Sequence, residues 1–501
     1  MSTQIWTSQE ARRQDEWAQE TGVPFLSLME LAGFQAARLI RRDFKSRALR
    51  VAILVGKGSN GGDGLVLARH LAAFYSVSLS MVGETPRFPG AEDLVRAAIE
   101  AGARIDPDVI GDVIVDAVYG TGYHHRTRGG PVDDLLNRVY QKGDPIVALD
   151  LVSRVDADCG SYDHPIGNNV TTITFGATKW GHWGYPGAAA RGKLVLADIG
   201  LHDHIVVKDG WVGPGAAKSW LPRLNPLGHK YRRGRVVVIG GSRDMPGAPL
   251  LAGLAALRAG AGLVTLVVPQ GLGGRVQVPS PLLVHEAPAV HGSLSWSQEE
   301  TTLCQKADAV LIGPGLGPQV PPDIFSKVMG LGRPLVVDAD GLRLLTPELA
   351  QQHGAPLILT PHSGEAGALL DMTAHEIDAN RPSAVRALLA KYPGTTVILK
   401  GAYSVTGFQE SLRVNTTGTP EMATPGSGDV LSGIVAGLLA QHLRPNDAAQ
   451  LATYWHGWTG NVAAQDFGPT LIATDLIEAL PRAWKKIEEE AWPPGAPEIL
   501  V

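Results

Sequence analysis

Val51-Ala52-Ile53-Leu54-Val55 runs into Gly56-Lys57-Gly58-Ser59-Asn60-Gly61-Gly62-Asp63-Gly64, and then into an apolar helical pattern from Leu65 to Phe74. A short continuous apolar run bounded by glycines reads as a buried strand. A glycine turn feeding a helix gathers unpaired backbone N–H groups at one point. Strand, turn and helix in that order are what a parallel sheet uses to hold a phosphate-bearing ligand at a helix N-terminus. The spacing is not G-x-G-x-x-G followed by a ribose-binding acid, so hydride transfer is not indicated.

Working outward, residues Thr7 to Arg42 carry charged and apolar residues at helical spacing and predict two helices broken at Gly22-Val23-Pro24. Downstream, strands are expected at Val77 to Val82, Val113 to Val118 and Ile146 to Leu151, with helices at Ala91 to Ala101 and Val132 to Tyr140. The strand ends carry Asp116, the turn Gly120-Thr121-Gly122, and Asp150. Such ends share one crevice in an open α/β sheet, so Asn60, Asp116, Asp150 and Ser153 could converge there. Oxygen ligands of this kind suit a hard cation, although each residue taken singly reads sooner as a turn or capping residue.

Trp211 to Lys230 is rich in glycine and proline and reads as a linker, which divides the chain into domains 1–220 and 221–501. After it the alternation restarts. Arg235 to Ile239 leads through Gly240-Gly241-Ser242 and Pro246-Gly247-Ala248-Pro249 into a helix, Leu250 to Ala259, and a strand, Leu263 to Val268. Later apolar strands end in Gly313-Pro314-Gly315-Leu316-Gly317, Asp338-Ala339-Asp340-Gly341, Pro361-His362-Ser363-Gly364-Glu365 and Lys400-Gly401-Ala402. At these ends Lys400 could meet a nucleotide phosphate, Glu365 could organise magnesium through water, and His362 is expected to contact ligand.

The second half is organised around Met422-Ala423-Thr424-Pro425-Gly426-Ser427-Gly428-Asp429, which feeds a buried helix from Val430 to Ala440. Gly426 and Gly428 allow close approach, and the helix start cradles an anion. Asp429 reads either as a general base beside that cradle, for phosphoryl transfer to a hydroxyl, or simply as a helix cap.

Composition narrows the class. At 501 residues the chain is too long for one core, and 44% hydrophobic with 19% charged residues describes well-packed units. A net charge of −5 argues against nucleic-acid binding. The two cysteines, Cys159 and Cys304, have no metal-site spacing and fit a reducing cytoplasm. The polar N-terminus is no signal peptide, and Leu250 to Val268 is too interrupted for a membrane helix.

Leu28-Met29-Glu30-Leu31-Ala32-Gly33, Gly58 to Gly64 with Ala68-Arg69, Asp116 to Gly122, Asp150 to Ser153 and Thr174 to Lys179 resemble, in order, the NAD(P)H-hydrate epimerase family over roughly residues 10 to 200. The resemblance implies a Rossmann-like fold and interconversion of the R and S forms of the hydrated nicotinamide cofactor with a bound potassium ion. It implies potassium on Asn60, Asp116 and Ser153. It also implies the hydrate on Asn60, Gly61, Gly62, Asp63 and Gly64, on Gly120, Thr121, Gly122 and Arg126, and on Asp150, which is also the candidate for proton transfer. Asp150-Leu151-Val152-Ser153-Arg154 departs from the family's usual Asp-Ile-Pro-Ser-Gly, so Arg154 is expected to be strained if that glycine has a positive φ.

From His229 to Leu480 the turns resemble the ADP- or ATP-dependent NAD(P)H-hydrate dehydratase family, with a ribokinase-like fold; at Lys230-Tyr231 the usual glycine is absent. That resemblance implies that Asp429 deprotonates the hydrate's hydroxyl and that Gly426, Ser427 and Gly428 stabilise the transferring group. Ala248, Gly315, His362, Ser363, Gly364 and Glu365 would line the hydrate site. Lys400, Gly401, Ala402, Tyr403 and Ser404, with Gly428, would hold ADP (or ATP) with magnesium. The expected protein is thus an α/β bifunctional enzyme acting on NADH hydrate and NADPH hydrate, cytoplasmic, homo-oligomeric, and without nucleic-acid or membrane partners. The rival reading is a ribokinase-like vitamin kinase with a non-catalytic first domain.

Overall fold

The computed structural model describes residues 3–46, 48–123, 129–201, 205–223, 225–226, 228–276, 281–290 and 293–500. The chain divides into two units, residues 1–210 with 497–501, and Trp211–Ala496.

In the first unit the helices α1 (Ser8–Glu20) and α2 (Phe25–Asp43) precede β1 (Arg50–Val55), α3 (Ser59–Ala72), β2 (Ser76–Met81), α4 (Ala91–Glu100), β3 (Val113–Ala117), α5 (Pro131–Lys142), β4 (Ile146–Leu149), β5 (Val170–Phe175) and β6 (Lys193–Ala197). All neighbouring strands of its sheet are parallel, in the order Glu498–Leu500, β6, β5, β4, β3, β1, β2, Arg104–Ile105. Both faces are covered. Val51, Ile53 and Val55 pack with Ala36 and Ile40 of α2, whereas Ala52 and Leu54 pack with Leu136 and Tyr140 of α5. This is why the strand reads as an unbroken apolar run rather than an alternating one. The connections from β1 and into β3 leave in opposite directions, so the switch point lies between β1 and β3, where an open α/β sheet places its ligand crevice.

The helix expected from Leu65 begins at Ser59, so the glycine run lies inside its first turns. A Cβ on Gly61 would stand 1.9 Å from the Gly56 carbonyl oxygen, and one on Gly64 would stand 2.8 Å from Ala117 Cβ. Those glycines let the helix lie against the strand ends.

In the second unit β7 (Arg235–Ile239), α6 (Gly247–Arg258), β8 (Leu263–Pro269), β9 (Leu283–Ala287), β10 (Ala309–Ile312), β11 (Leu335–Val337), β12 (Leu357–Leu359), α7 (Ser363–Leu370), α8 (Arg381–Lys391) and β13 (Thr396–Leu399) follow in turn. An antiparallel hairpin, β14 (Val405–Phe408) and β15 (Ser411–Val414), extends the sheet, and α9 (Ser427–Ala440), α10 (Pro445–Phe467) and α11 (Ala473–Glu488) close the unit. The strand order β15, β14, β13, β12, β11, β10, β7, β8, β9 again reverses beside its first strand. Every residue of α9 from Val430 to Ala440 is buried. A Cβ on Gly433 would stand 2.1 Å from the Ala252 carbonyl oxygen, so α9 and α6 meet backbone to backbone.

The boundary expected near residue 220 lies instead between Gly210 and Trp211. The supposed linker belongs to the second unit because Val212 and Ala217 are buried in its core. The chain's last described residues also depart from the expected 221–501 domain, since Glu498–Leu500 pairs with β6 of the first unit. Among the described residues no helix is long and apolar enough to cross a membrane.

Candidate functional site

In the first unit, the ends of β1, β3 and β4 open onto a cleft of about 960 Å³ lined by Asn60, Asp63, Gly120, Thr121, Gly122 and Asp150, together with Asp15 of α1 and Lys179. A Cβ on Gly120 would stand 3.5 Å from both Asn60 Cγ and Asp150 Oδ2, so these three residues meet at one wall. Asn60 is buried, and neither its Oδ1 nor its Nδ2 has a hydrogen-bond partner among the described residues. Gly61, Gly62 and Gly64 sit behind the wall as buried helix residues. Arg126 lies outside the described residues.

Asp116 is fully buried beneath this wall. Tyr140 donates its hydroxyl to Asp116 Oδ2 at 2.6 Å, and Ser153 donates its N–H to Oδ2 at 3.0 Å and its hydroxyl to Oδ1 at 2.6 Å. The Val118 N–H, 3.2 Å from Oδ1, completes the set. Burial and the Asp116 carboxylate hold the Tyr140 hydroxyl well above the usual range. Arg154 has a φ of 78° and a buried side chain that donates to Asn137 Oδ1 at 2.8 Å. The conformation that glycine would favour is therefore occupied by arginine.

Charge in the cleft is uneven. Burial alone would raise the Asp150 carboxyl, but the Lys179 ammonium brings it below the usual carboxylate range. Burial pushes Asp15 up to about 6 and Asp63 well above its ordinary value, with the Asp150 charge adding to both.

In the second unit the parts meet around Lys400. Its Nζ lies 2.7 Å from Asp338 Oδ1, 3.5 Å from Glu365 Oε2 and 3.5 Å from where a Cβ on Gly428 would stand. Burial opposes its charge, yet Asp338, Glu365 and Asp429 hold it above the usual lysine range. Thr360 fixes Asp338 through a 2.7 Å hydroxyl bond. Gly426, with a φ of 86°, turns the chain into α9, and Asp429 is the third residue of that helix. No side chain caps this helix start, so capping is not what Asp429 does. Burial pushes its carboxyl up to about 7, with Asp338 and Glu365 adding and Lys400 opposing.

The remaining expected residues cluster nearby or support the cluster. Ala248 Cβ lies 3.0 Å from where a Cβ on Gly315 would stand, and Leu251, one turn along α6, contacts the corresponding position of Gly426. His362 caps α7. Its Nδ1 accepts from the N–H groups of Gly364 and Glu365 at 3.0 and 3.2 Å, and Glu365 accepts from the His362 N–H at 2.8 Å. Ser363 donates to Asp378 at 2.5 Å. Gly401 and Ser404 close a turn by mutual hydrogen bonds, while Ala402 is exposed and Tyr403 takes a φ of 50°.

Residues 236–482 match the family model described as NAD(P)H-hydrate dehydratase, and residues 26–181 match that of the YjeF-related protein N-terminus. The chain is 37% identical to the bifunctional NAD(P)H-hydrate repair enzyme Nnr of Moorella thermoacetica across 93% of this chain and 94% of that one. With the Nnr of Escherichia coli K12 it is 33% identical across 95% and 93%. This chain belongs to the bifunctional NAD(P)H-hydrate repair enzyme family. Among solved structures, the ADP/ATP-dependent NAD(P)H-hydrate dehydratase from Bacillus subtilis, co-crystallized with ATP/Mg2+, is 28% identical with a TM-score of 0.48, over 56% of this chain and 98% of that one.

Within this family member, sequence reasoning assigned no site role to Asp15, Lys179, Asp338 or His456. Asp338 and Lys179 both stood in quoted motifs, but what marks them is a partner distant in sequence, which spacing does not reveal. His456 lies on α10 with its Nε2 3.4 Å from Ser427 Oγ, and burial lowers it to about 4, leaving it neutral beside the Gly426 to Gly428 turn.

Proposed function

We propose that the first unit epimerises R- and S-NAD(P)H hydrate and that the second dehydrates the S form to NAD(P)H at the expense of ADP or ATP. The observation that carries the reading is the carboxylate of Asp429 in the first turn of α9, beside Lys400 and the Gly426 to Gly428 turn, with a proton affinity raised to near neutrality by burial. A base of that strength can take a hydroxyl proton at physiological pH. The N–H groups of Ser427 and Gly428, at the positive end of α9, and the Lys400 ammonium then face the charge moving between phosphates. Ala248, Gly315 and His362 to Glu365 line the hydrate side, and Lys400 to Ser404 the nucleotide side. Glu365 and Asp338 offer the oxygen ligands that magnesium prefers when it arrives with the nucleotide.

In the first unit Asn60 and Asp63, with Gly120 to Gly122 and Asp150, receive the hydrate, Gly61, Gly62 and Gly64 seat the helix behind them, and Asp150 moves the proton. A potassium ion fits Asn60, whose buried amide oxygen is otherwise without a partner. Asp116 contributes charge there, and Ser153 completes the set. Bound potassium would supply a fixed positive charge for the hydrate's oxygens. The unpaired Cys159 and Cys304 agree with a cytoplasmic location.

The test mixes purified protein with racemic NADH hydrate, potassium, magnesium and either ADP or ATP, following the absorbance of regenerated NADH. Full recovery is expected with the preferred donor. Half recovery removes the epimerase reading, and a stable phosphate ester without NADH removes the dehydratase reading.

A further inference from the structure

Asp150 leaves β4 with a φ of 64°, in the left-handed region that residues other than glycine adopt uncommonly. Its carboxylate is gripped from one side. Lys179 Nζ donates to Oδ1 at 2.5 Å, and Thr174 Oγ1 donates to the same oxygen at 3.0 Å. Lys179 also reaches Thr174 Oγ1 at 2.9 Å and the Phe175 carbonyl at 3.0 Å, so the three protons of its buried ammonium each have an acceptor. None of these bonds involves Oδ2, which faces the Gly120 wall of the cleft.

The backbone around the pair is fixed as well. His182 Nδ1 accepts from the Lys179 N–H at 2.9 Å, which places the ring proton on Nε2, 2.9 Å from the Asp150 carbonyl oxygen. Burial lowers His182 to about 3, with Lys179 adding, so the ring stays neutral and this tautomer persists.

We propose that Lys179 is a positioning residue for epimerisation: it saturates Asp150 Oδ1 and presents Oδ2 as the atom that receives the proton of the hydrate's hydroxyl. The inference rests on the epimerase reading of this cleft. Water adds to an enamine double bond at the carbon next to nitrogen, so the hydrate is a carbinolamine. Its O–H proton passes to Oδ2 as the C=O bond forms and the ring C–N bond breaks, the electron pair going to nitrogen. The same proton is then delivered to that nitrogen. Reclosure on the opposite face of the carbonyl reverses each transfer, so atoms and charge balance with no further reagent.

The titratable groups facing Asp150 are Lys179 and the neutral His182 from its own wall, Asp15 from α1 and Asp63 from α3. Glu16 and Arg12 of α1 and Lys57 line the same cleft. Of these, Lys179 is the cation bonded directly to the carboxylate, so its removal leaves a buried anion beside two acidic groups. The carboxyl then holds its proton and ceases to be a base.

The experiment measures R-to-S interconversion from pH 5 to 9 for the full chain, Lys179→Met and Lys179→Arg. It also follows the ¹³C carboxyl resonance of Asp150, assigned through Asp150→Asn. For Lys179→Met we expect kcat at pH 7 to fall about 10²-fold, with KM within threefold of the parent, and both the acid limb of kcat and the Asp150 titration to move up by more than one pH unit. Lys179→Arg should restore the limb to within half a unit of the parent. A wild-type rate no faster than the uncatalysed one sinks the epimerase reading and this proposal with it. An active wild type whose Lys179→Met variant keeps the same limb and the same Asp150 titration overturns the role of Lys179 alone.

Discussion

Asp429 is held where ionisation works against the fold. Its carboxyl lies at about 7 in the native state against an ordinary 3.8, so the folded protein binds this proton more tightly than the unfolded chain. The associated stability is fully present below about pH 4 and is lost as pH rises through about 7. Asp429→Asn should therefore melt above the parent at pH 8, by an amount on the order of a few kcal/mol, and the gap should close near pH 4. The same variant should lose dehydration by about 10²–10⁴-fold while nucleotide binding and epimerisation persist. Retained turnover would remove the base assignment, and an unchanged melting gap between the two pH values would remove the electrostatic one. Arg154 presents the opposite balance. Its left-handed backbone costs about 1–2 kcal/mol, but its buried guanidinium bonds Asn137 and lies 3.8 Å from Asp133. Arg154→Gly relieves the backbone, orphans those acceptors and empties buried volume, so a net loss of about 2 kcal/mol is expected in thermal melting. An equal or higher melting temperature would mean the guanidinium contributes nothing.

Helix α9 shows how an element aims its residues. Gly433 lets it lie on the α6 backbone, and that seat fixes where the helix start presents Ser427, Gly428 and Asp429. Gly433→Ala forces the helices apart and should cost about 1–3 kcal/mol in denaturant unfolding of the second unit, with a larger loss in kcat for dehydration than in nucleotide affinity. A variant with unchanged stability would show that the two helices can slide at no cost. At this scale the sequence was most legible, because apolar runs flanked by glycine name parallel strands and the turns that follow them. The start of α3 was misread, since a glycine run looks like a loop when the reason for it is a neighbouring strand end. Likewise Asp116, Asp150 and Lys400 could be picked out as strand-end residues. The partners that complete them, Tyr140 for Asp116, Lys179 for Asp150 and Asp338 for Lys400, act through contacts that no local pattern encodes.

Across the whole molecule, the sequence places the division within ten or so residues but gives no sign that the chain returns. Glu498–Leu500 forms the sheet edge beside β6, with Glu498 bonded to Arg42 and to Lys193 at 2.5 Å. Deleting 497–501 exposes that edge and should lower the melting transition of the first unit while dehydration kinetics stay within twofold of the parent. Loss of dehydration instead would assign the segment to the second unit. During synthesis the first unit emerges from the ribosome lacking its outermost strand, and that strand arrives only after the entire second unit has been made. Nascent chains stalled before residue 497 should consequently carry an epimerase half that proteases cut more readily, so complete maturation of the leading enzyme waits on translation of the trailing one.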